Sequence, residues 1–144
     1  MKDKKTIPTI TVIIESDCSG GYSAYINDES ASLLDYGLIA QGKTTEETIN
    51  NFKQAYDEMR KVYKEKGRFF QEAEITYVHD VRAFLNYYAQ KLSLSGLERI
   101  SGIHQKQLSY YLNGRHKPTR KTALRLNTAL HSFAQELDKV RVLV

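Results

Sequence analysis

The hydrophobic and polar positions change period several times along the chain, and each change marks an element. Thr9 to Glu15 (TITVIIE) is a β-branched run and predicts a strand. Ser16 to Gly21 (SDCSGG) has the composition of a hairpin turn, and Tyr22 to Asn27 (YSAYIN) alternates as the returning strand. The polar stretch DESAS predicts a loop, and Tyr36 to Gln41 (YGLIAQ) a short third strand, so that the three strands form an antiparallel meander. A helix follows. Thr44 and Glu47 have capping-box spacing and Gly67 is the stop. Between them Ile49, Phe52, Tyr56, Met59 and Tyr63 recur on one face, widened by Ala55 and Val62. A face this regular must pack, and the sheet is the surface nearest to it in sequence; a coiled-coil partner helix is the less economical alternative. Glu74 to Val78 (EITYV) predicts a fourth strand.

From Asp80 the pattern is helical throughout. Asp80 is the expected N-cap of a helix with Val81, Phe84, Leu85, Tyr88 and Leu92 inside. The stretch SLSGLERISGIHQKQLSYYLNGRHKP, Ser93 to Pro118, reads as two short helices about a tight turn. Ser95 and Glu98 have capping-box spacing, Leu97 and Ile100 are the apolar face, Gly102 closes the helix at positive φ and Ile103 plugs the turn. The second helix, about His104 to Asn113, turns Leu108, Tyr111 and Leu112 inward, before Gly114 and Pro118 end it. Thr119 is the expected cap of a last helix with Ala123, Leu126, Leu130, Phe133 and Leu137 inside. The tail VRVLV suits either a strand pairing with a partner chain or a helix end tucked into the core. The predicted architecture is α+β: a β-β-β-α-β domain over residues 1–79 and an all-α domain over residues 80–144.

Charge separates the two halves. Residues 1–79 carry 10 Lys/Arg and 13 Asp/Glu, whereas residues 80–144 carry 11 Lys/Arg and 4 Asp/Glu. From His104 to Arg125 there are six basic residues (Lys106, Arg115, Lys117, Arg120, Lys121 and Arg125) and no acidic one. A basic half suits a polyanion, and an acidic half suits a basic partner. Two helices at a sharp angle with a glycine in the turn read as a helix-turn-helix, whose second helix offers its N-terminal side chains to base edges. Gln105, Lys106, Ser109 and Tyr110 point outward there, with Gln107 and Asn113 on the flanks. Gln and Asn pair bidentately with adenine and Lys reaches guanine. The base-contact candidates are therefore Gln105, Lys106 and Tyr110, and the phosphate-contact candidates Ser109, Asn113, Arg115, Lys117 and Arg120. The plain alternative is a solvated helical hairpin.

Other chemistries find little support. The chain has 144 residues, no apolar run of membrane-spanning length and no signal-peptide pattern at its start, so a cytoplasmic protein with no membrane role is expected. The single Cys18 excludes an internal disulfide framework and fits a reducing compartment; it reads as a residue with no special role. A metal-dependent nuclease needs gathered carboxylates. Glu15 and Asp17, two apart, could share a sheet side if the strand continued, with Asp28 and Glu29 in the loop and Glu46 and Glu47 at the helix start. These read instead as solvated strand ends and a helix N-terminus, and the domain lacks the length for a complete nuclease. His79, His104, His116 and His131 lack zinc-ligand spacing. No enzyme, no cofactor and no metal is expected.

The segments ITVIIESDCSGGYSAYIND, GKTTEETINNFKQAYDEM and YVHDVRAFLNYYAQKLSLSGLERISGIHQKQLSYYLNGRHKP together resemble the HicB antitoxin family. The resemblance is to the members that join a partial RNase H-like domain to a C-terminal Cro/phage-repressor-type helix-turn-helix, and it covers nearly all of the chain. One position departs from the pattern. The family has a small residue, often Ala, just after the leading apolar residue of the first motif helix, and this chain has Glu98. The resemblance implies an antitoxin that covers HicA, a small basic mRNA-cleaving ribonuclease toxin, through its N-terminal domain. It also implies repression of the shared operon through double-stranded operator DNA, bound by a homodimer or higher homo-oligomer. Two other functions are compatible with the residues alone: a transcriptional regulator whose first domain senses a small molecule or docks another protein, and a nuclease guided by a DNA-binding half.

Overall fold

The β-branched run becomes β1 (Thr9–Ser16), an interior strand that pairs on both sides. In the computed structural model, which describes residues 6–17 and 19–144, the chain divides into two compact units, Met1–Ala83 and Phe84–Val144. Met1 to Lys5 and Cys18 lie outside the described residues, and with them the expectations for the charged start and the lone thiol. The division falls four residues past the expected 79/80 boundary, inside the helix that follows the sheet.

The first unit contains a four-stranded mixed sheet in the order β3-β2-β1-β4. β2 (Tyr22–Ile26) runs antiparallel to β1 and to β3 (Ile39–Gly42), which gives the expected meander. β4 (Glu74–His79) lies on the far side of β1 and parallel to it, in register from Thr9↔Glu74 to Ile14↔His79. A parallel neighbour needs a crossover, and α2 (Thr45–Glu65) supplies it. Strand alternation sends Ile10, Val12, Ile14, Tyr22 and Ala24 to one face, where they are buried with Phe52 of α2. Helix and sheet approach closely at the start of α2. A Cβ on Gly42 would lie 2.7 Å from both Thr48 N and Thr48 Oγ1, so only glycine fits. Thr45 and Thr48 are buried there as well; Thr45 Oγ1 donates to Ala83 O (2.7 Å) and Thr48 Oγ1 to Thr44 O (2.7 Å).

Capping follows the sequence in most places. The Thr44 side chain accepts from Glu47 N, and Gly67 has φ +64° after the last turn of α2. Asp80 Oδ1 accepts from Ala83 N (2.7 Å), while its Oδ2 accepts from Ser16 N (2.8 Å) and Ser16 Oγ (2.9 Å), tying the end of β4 to the end of β1.

Three expectations fail in this unit. The segment DESAS is not a loop: Asp28–Ala31 forms the short helix α1, capped by Asn27, and Ser30 Oγ accepts from Thr11 N (2.8 Å) beside β1. Strand β3 begins at Ile39 rather than Tyr36. Tyr36 instead stacks on Phe70 (centroids 4.7 Å apart) and donates its hydroxyl to Gln71 O (2.6 Å). Val62 is exposed, so the buried stripe of α2 is Phe52, Tyr56 and Tyr63, with Ile49 packed on the core and Met59 partly covered. The far end of this stripe joins Tyr36 and Phe70 in an aromatic cluster. Arg60 closes it over, pairing bidentately with Glu72 (2.6 and 2.9 Å) and holding that carboxyl below its usual range.

The second unit is helical: α3 (Val81–Leu92), which crosses the division, then α4 (Leu94–Ser101), α5 (Gln105–Leu112) and α6 (Arg120–Asp138). Leu85, Leu97, Ile103, Leu108, Tyr111 and Leu126 are its buried apolar residues, and α4 packs against both α5 and α6. Thr119 caps α6 as expected, accepting from Thr122 N. Leu137 is exposed, and the tail 140–144 neither continues α6 nor enters the core; its apolar residues lie in solvent. Among the described residues no helix is long and apolar enough to cross a membrane.

Candidate nucleic-acid interface

Helix α4 opens differently from the capping box read in its sequence. The N-cap is Ser93, not Ser95: Ser93 sits at φ +63°, and its Oγ accepts from Gly96 N (3.0 Å). Two serines two residues apart offer two start registers, and the turn out of α3, with Ser93 N donating to Ala89 O (2.9 Å), selects the first. Glu98 is then free for another task. Its carboxylate accepts from Gln105 N (2.8 Å), seven residues ahead, at the first residue of α5. Glu98 therefore joins the two helices across the turn, and a charged residue stands there because the first amides of α5 need an acceptor.

The turn itself follows expectation. Gly102 is left-handed (φ +73°) and its N–H donates to Glu98 O (2.7 Å). Ser101 Oγ donates to Leu97 O (2.7 Å) and accepts from Ile103 N (3.1 Å), so Ile103 is held buried in the corner. A Cβ on Gly102 would meet Arg125 Nη2 at 2.6 Å. One of the six cations of the basic stretch, Arg125, thus reaches the turn with its guanidinium while remaining exposed.

Helix α5 is capped by His104, whose Nδ1 accepts from Lys106 N (3.1 Å). Leu108 and Tyr111 anchor it inward, and the Gln107 amide is bound to the Tyr111 hydroxyl. Its end is a Schellman turn: Gly114 (φ +76°) donates to Tyr111 O and Arg115 N to Tyr110 O (2.9 Å). This turn folds the basic loop back along the helix. Around the Tyr110 ring stand Lys106 Nζ at 6.0 Å, Arg115 Cζ at 5.8 Å and the His116 ring at 4.8 Å. An aromatic face bracketed by cations is a surface for stacking and for anions at once.

Of the residues singled out in the sequence, Lys106, Tyr110 and Arg115 are gathered about that ring. Gln105, Asn113, Lys117 and Arg120 are exposed and Ser109 is half-buried, and no contact draws these five into the cluster. His116 was not among the site candidates; its place beside Tyr110 depends on the Schellman turn, whose Gly114-Arg115-His116 sequence was its only signal. The first turn of α6 holds Arg120 and Lys121 and no acidic residue, a placement that opposes helix stability, since helix N-termini favour carboxylates. Cations at this positive helix end concentrate positive potential there, whereas at the start of α5 the Glu98 carboxylate meets Gln105 N.

The acidic positions of the first unit show a different pattern. Asp17 accepts from Ser19 N (2.9 Å), Ser19 Oγ (2.6 Å) and Gly21 N (2.9 Å), and these bonds hold its carboxyl below the usual range. Among the described residues no group of three His, Cys, Asp or Glu is placed to hold a metal ion.

The bond from Glu98 to α5 is testable. Glu98→Ala is expected to destabilise the second unit by about 1 kcal/mol, the usual worth of an N-terminal helix acceptor, with Glu98→Gln losing less. Urea denaturation followed by circular dichroism reads both; equal stability of wild type and Glu98→Ala would remove the role.

The chain matches no family model, no curated protein and no solved structure with which it was compared.

Proposed function

We propose that the chain is a HicB-type antitoxin and autorepressor. Its second unit acts as a Cro/phage-repressor-type helix-turn-helix on operator DNA. Its first unit, a partial RNase H-like domain, neutralises a HicA-like basic ribonuclease. The observation that carries the DNA half is the Tyr110 ring bracketed by Lys106, Arg115 and His116 on a surface without acidic residues from His104 to Arg125. The toxin half rests on the family resemblance of the first unit and on its excess of carboxylates. Opposite charge speeds encounter with a basic protein and discourages wrong partners.

On this reading α5 is the recognition helix and α4 positions it. Gln105, Lys106 and Tyr110 face bases, whereas Ser109, Asn113, Arg115, Lys117 and Arg120 face phosphates. The Gln105 amide is already engaged by Glu98, so Gln105 contributes through its side chain alone and the phosphate grip falls on the far end of α5 and the start of α6. One short helix reads few base pairs, so binding is by a homodimer or a higher homo-oligomer on a pseudo-palindrome.

The test has two arms. In the first, the full chain is mixed with the purified protein of an adjoining short, basic reading frame. A stable complex and loss of ribonuclease activity are expected; a free ribonuclease that stays active overturns the antitoxin reading. In the second, DNA affinity is measured against salt. Arg115→Ala is expected to weaken operator and random DNA alike and to lower the salt slope by about one. Gln105→Ala is expected to relax specificity by about 1–3 kcal/mol. Equal loss on both DNAs would remove Gln105 from base reading.

A further inference from the structure

The sheet of the first unit has a second face, away from α2. The register places Ile39 opposite Tyr25, Tyr25 opposite Ile13 and Ile13 opposite Val78, in one unbroken row across all four strands. At roughly 4.8 Å between strands this row spans about 15 Å. Ile39 is 68% exposed and Val78 48% exposed, both on edge strands, and Ile13 and Tyr25 are partly exposed between them. The rows on either side are polar: Thr11 and Thr76 on one side, and Gln41, Ser23 and Glu15 on the other. Single exposed apolar residues are ordinary, but an apolar row rimmed by polar rows marks an interaction surface.

Charge identifies the occupant. The charged residues at paired positions of this face are Glu15 and Glu74; no paired position there holds Lys or Arg, and Lys43 lies past the last pair of β3. Tyr25 lies diagonal to Glu15, and that carboxylate raises the phenol above its ordinary range. Nucleic acid and anionic lipid are repelled by such a face. A second copy docking by this same face would bring its own Glu15 and Glu74 onto the interface with no cation to meet them.

We propose that this open face is the docking surface for a cationic protein, with its apolar centre on the row Ile39–Tyr25–Ile13–Val78 and its basic rim toward Glu15 and Glu74. The proposal rests on the reading that the first unit meets a basic ribonuclease, and it assigns the place.

The experiment uses the full chain and the purified protein of the adjoining basic reading frame, with affinity read by calorimetry and function by ribonuclease inhibition. Ile39→Lys and Val78→Lys alter exposed edge-strand positions, and circular dichroism with operator binding reports that each variant is folded. Each is expected to weaken the complex by about thirtyfold, the effect of losing a central anchor. Glu74→Lys is expected to slow association by about tenfold at low salt and little at high salt. Glu65→Lys at the end of α2 makes the same charge change away from this face and is the control. Loss with Ile39→Lys and Val78→Lys but not with Glu65→Lys supports the proposal. A wild-type complex that both row variants leave intact, or that Glu65→Lys weakens as much, overturns the docking surface while the antitoxin reading stands. No wild-type complex at all overturns both.

Discussion

Phe52→Ala is expected to lower the stability of the first unit by about 3–5 kcal/mol. Phe52 is the largest fully buried side chain among the described residues, and with Ile49 it brings α2 to the inward residues of β1 and β2. α2 itself is polar on most of its surface and would be marginal alone; packing of its apolar stripe holds it. The change removes a ring between Ile10, Val12, Ile14 and Ala24, which belong to strands that cannot close over the void without breaking their pairing. Urea denaturation of the full chain measures the loss. A loss under about 1 kcal/mol would place the anchor of α2 in its aromatic end, at Tyr56, Tyr63 and Phe70, instead.

Leu108→Ala is expected to cost the second unit about 2–5 kcal/mol and to abolish the proposed DNA binding at 37 °C with it. Leu108 is fully buried, whereas its helix neighbours Gln107 and Ser109 are not; with Tyr111 it seats α5 in the unit. A unit of roughly 60 residues has only a few kcal/mol to lose. The variant also separates two ways of losing DNA affinity. Arg115→Ala removes a charge from a folded surface, so its salt slope falls. Leu108→Ala removes the surface by unfolding, so the binding that persists at low temperature keeps the wild-type slope. Binding by Leu108→Ala that stays at the wild-type level through 37 °C would show that α5 is held by other contacts.

The signals that were legible in the sequence are local ones. Thr44, Asp80 and Thr119 cap the helices expected of them, and Gly67, Gly102 and Gly114 take the positive φ that their helix ends require. The β-branched run Thr9–Glu15 marks β1 itself. What was hidden depends on partners distant in sequence. A four-residue helix such as α1 is too short to show a period, and its Ser30 is explained only by Thr11 on another element. Tyr36 reads as a strand aromatic until Phe70 is brought against it. The carboxylate of Glu98 has capping-box spacing from Ser95 yet serves Gln105. In the candidate interface, composition picked out Lys106, Tyr110 and Arg115, but the turn that sets Arg115 and His116 beside the ring is a backbone event. The apolar row of the open sheet face is invisible to a linear reading, because its four members come from four strands and only their register aligns them.

The parallel pairing of β1 with β4 sets an order of events in time. β1 and β2 are joined by a short turn and close locally, in microseconds. The other edge of β1 waits for Glu74–His79, after the whole of α2 has formed. A chain emerging from the ribosome at 5–20 residues per second therefore exposes one edge of its most apolar strand for several seconds. Fragments ending before β4 keep that edge open permanently and are the species most prone to pair with one another. Premature termination within residues 66–73 would thus yield a sticky polypeptide rather than a weak version of the first unit.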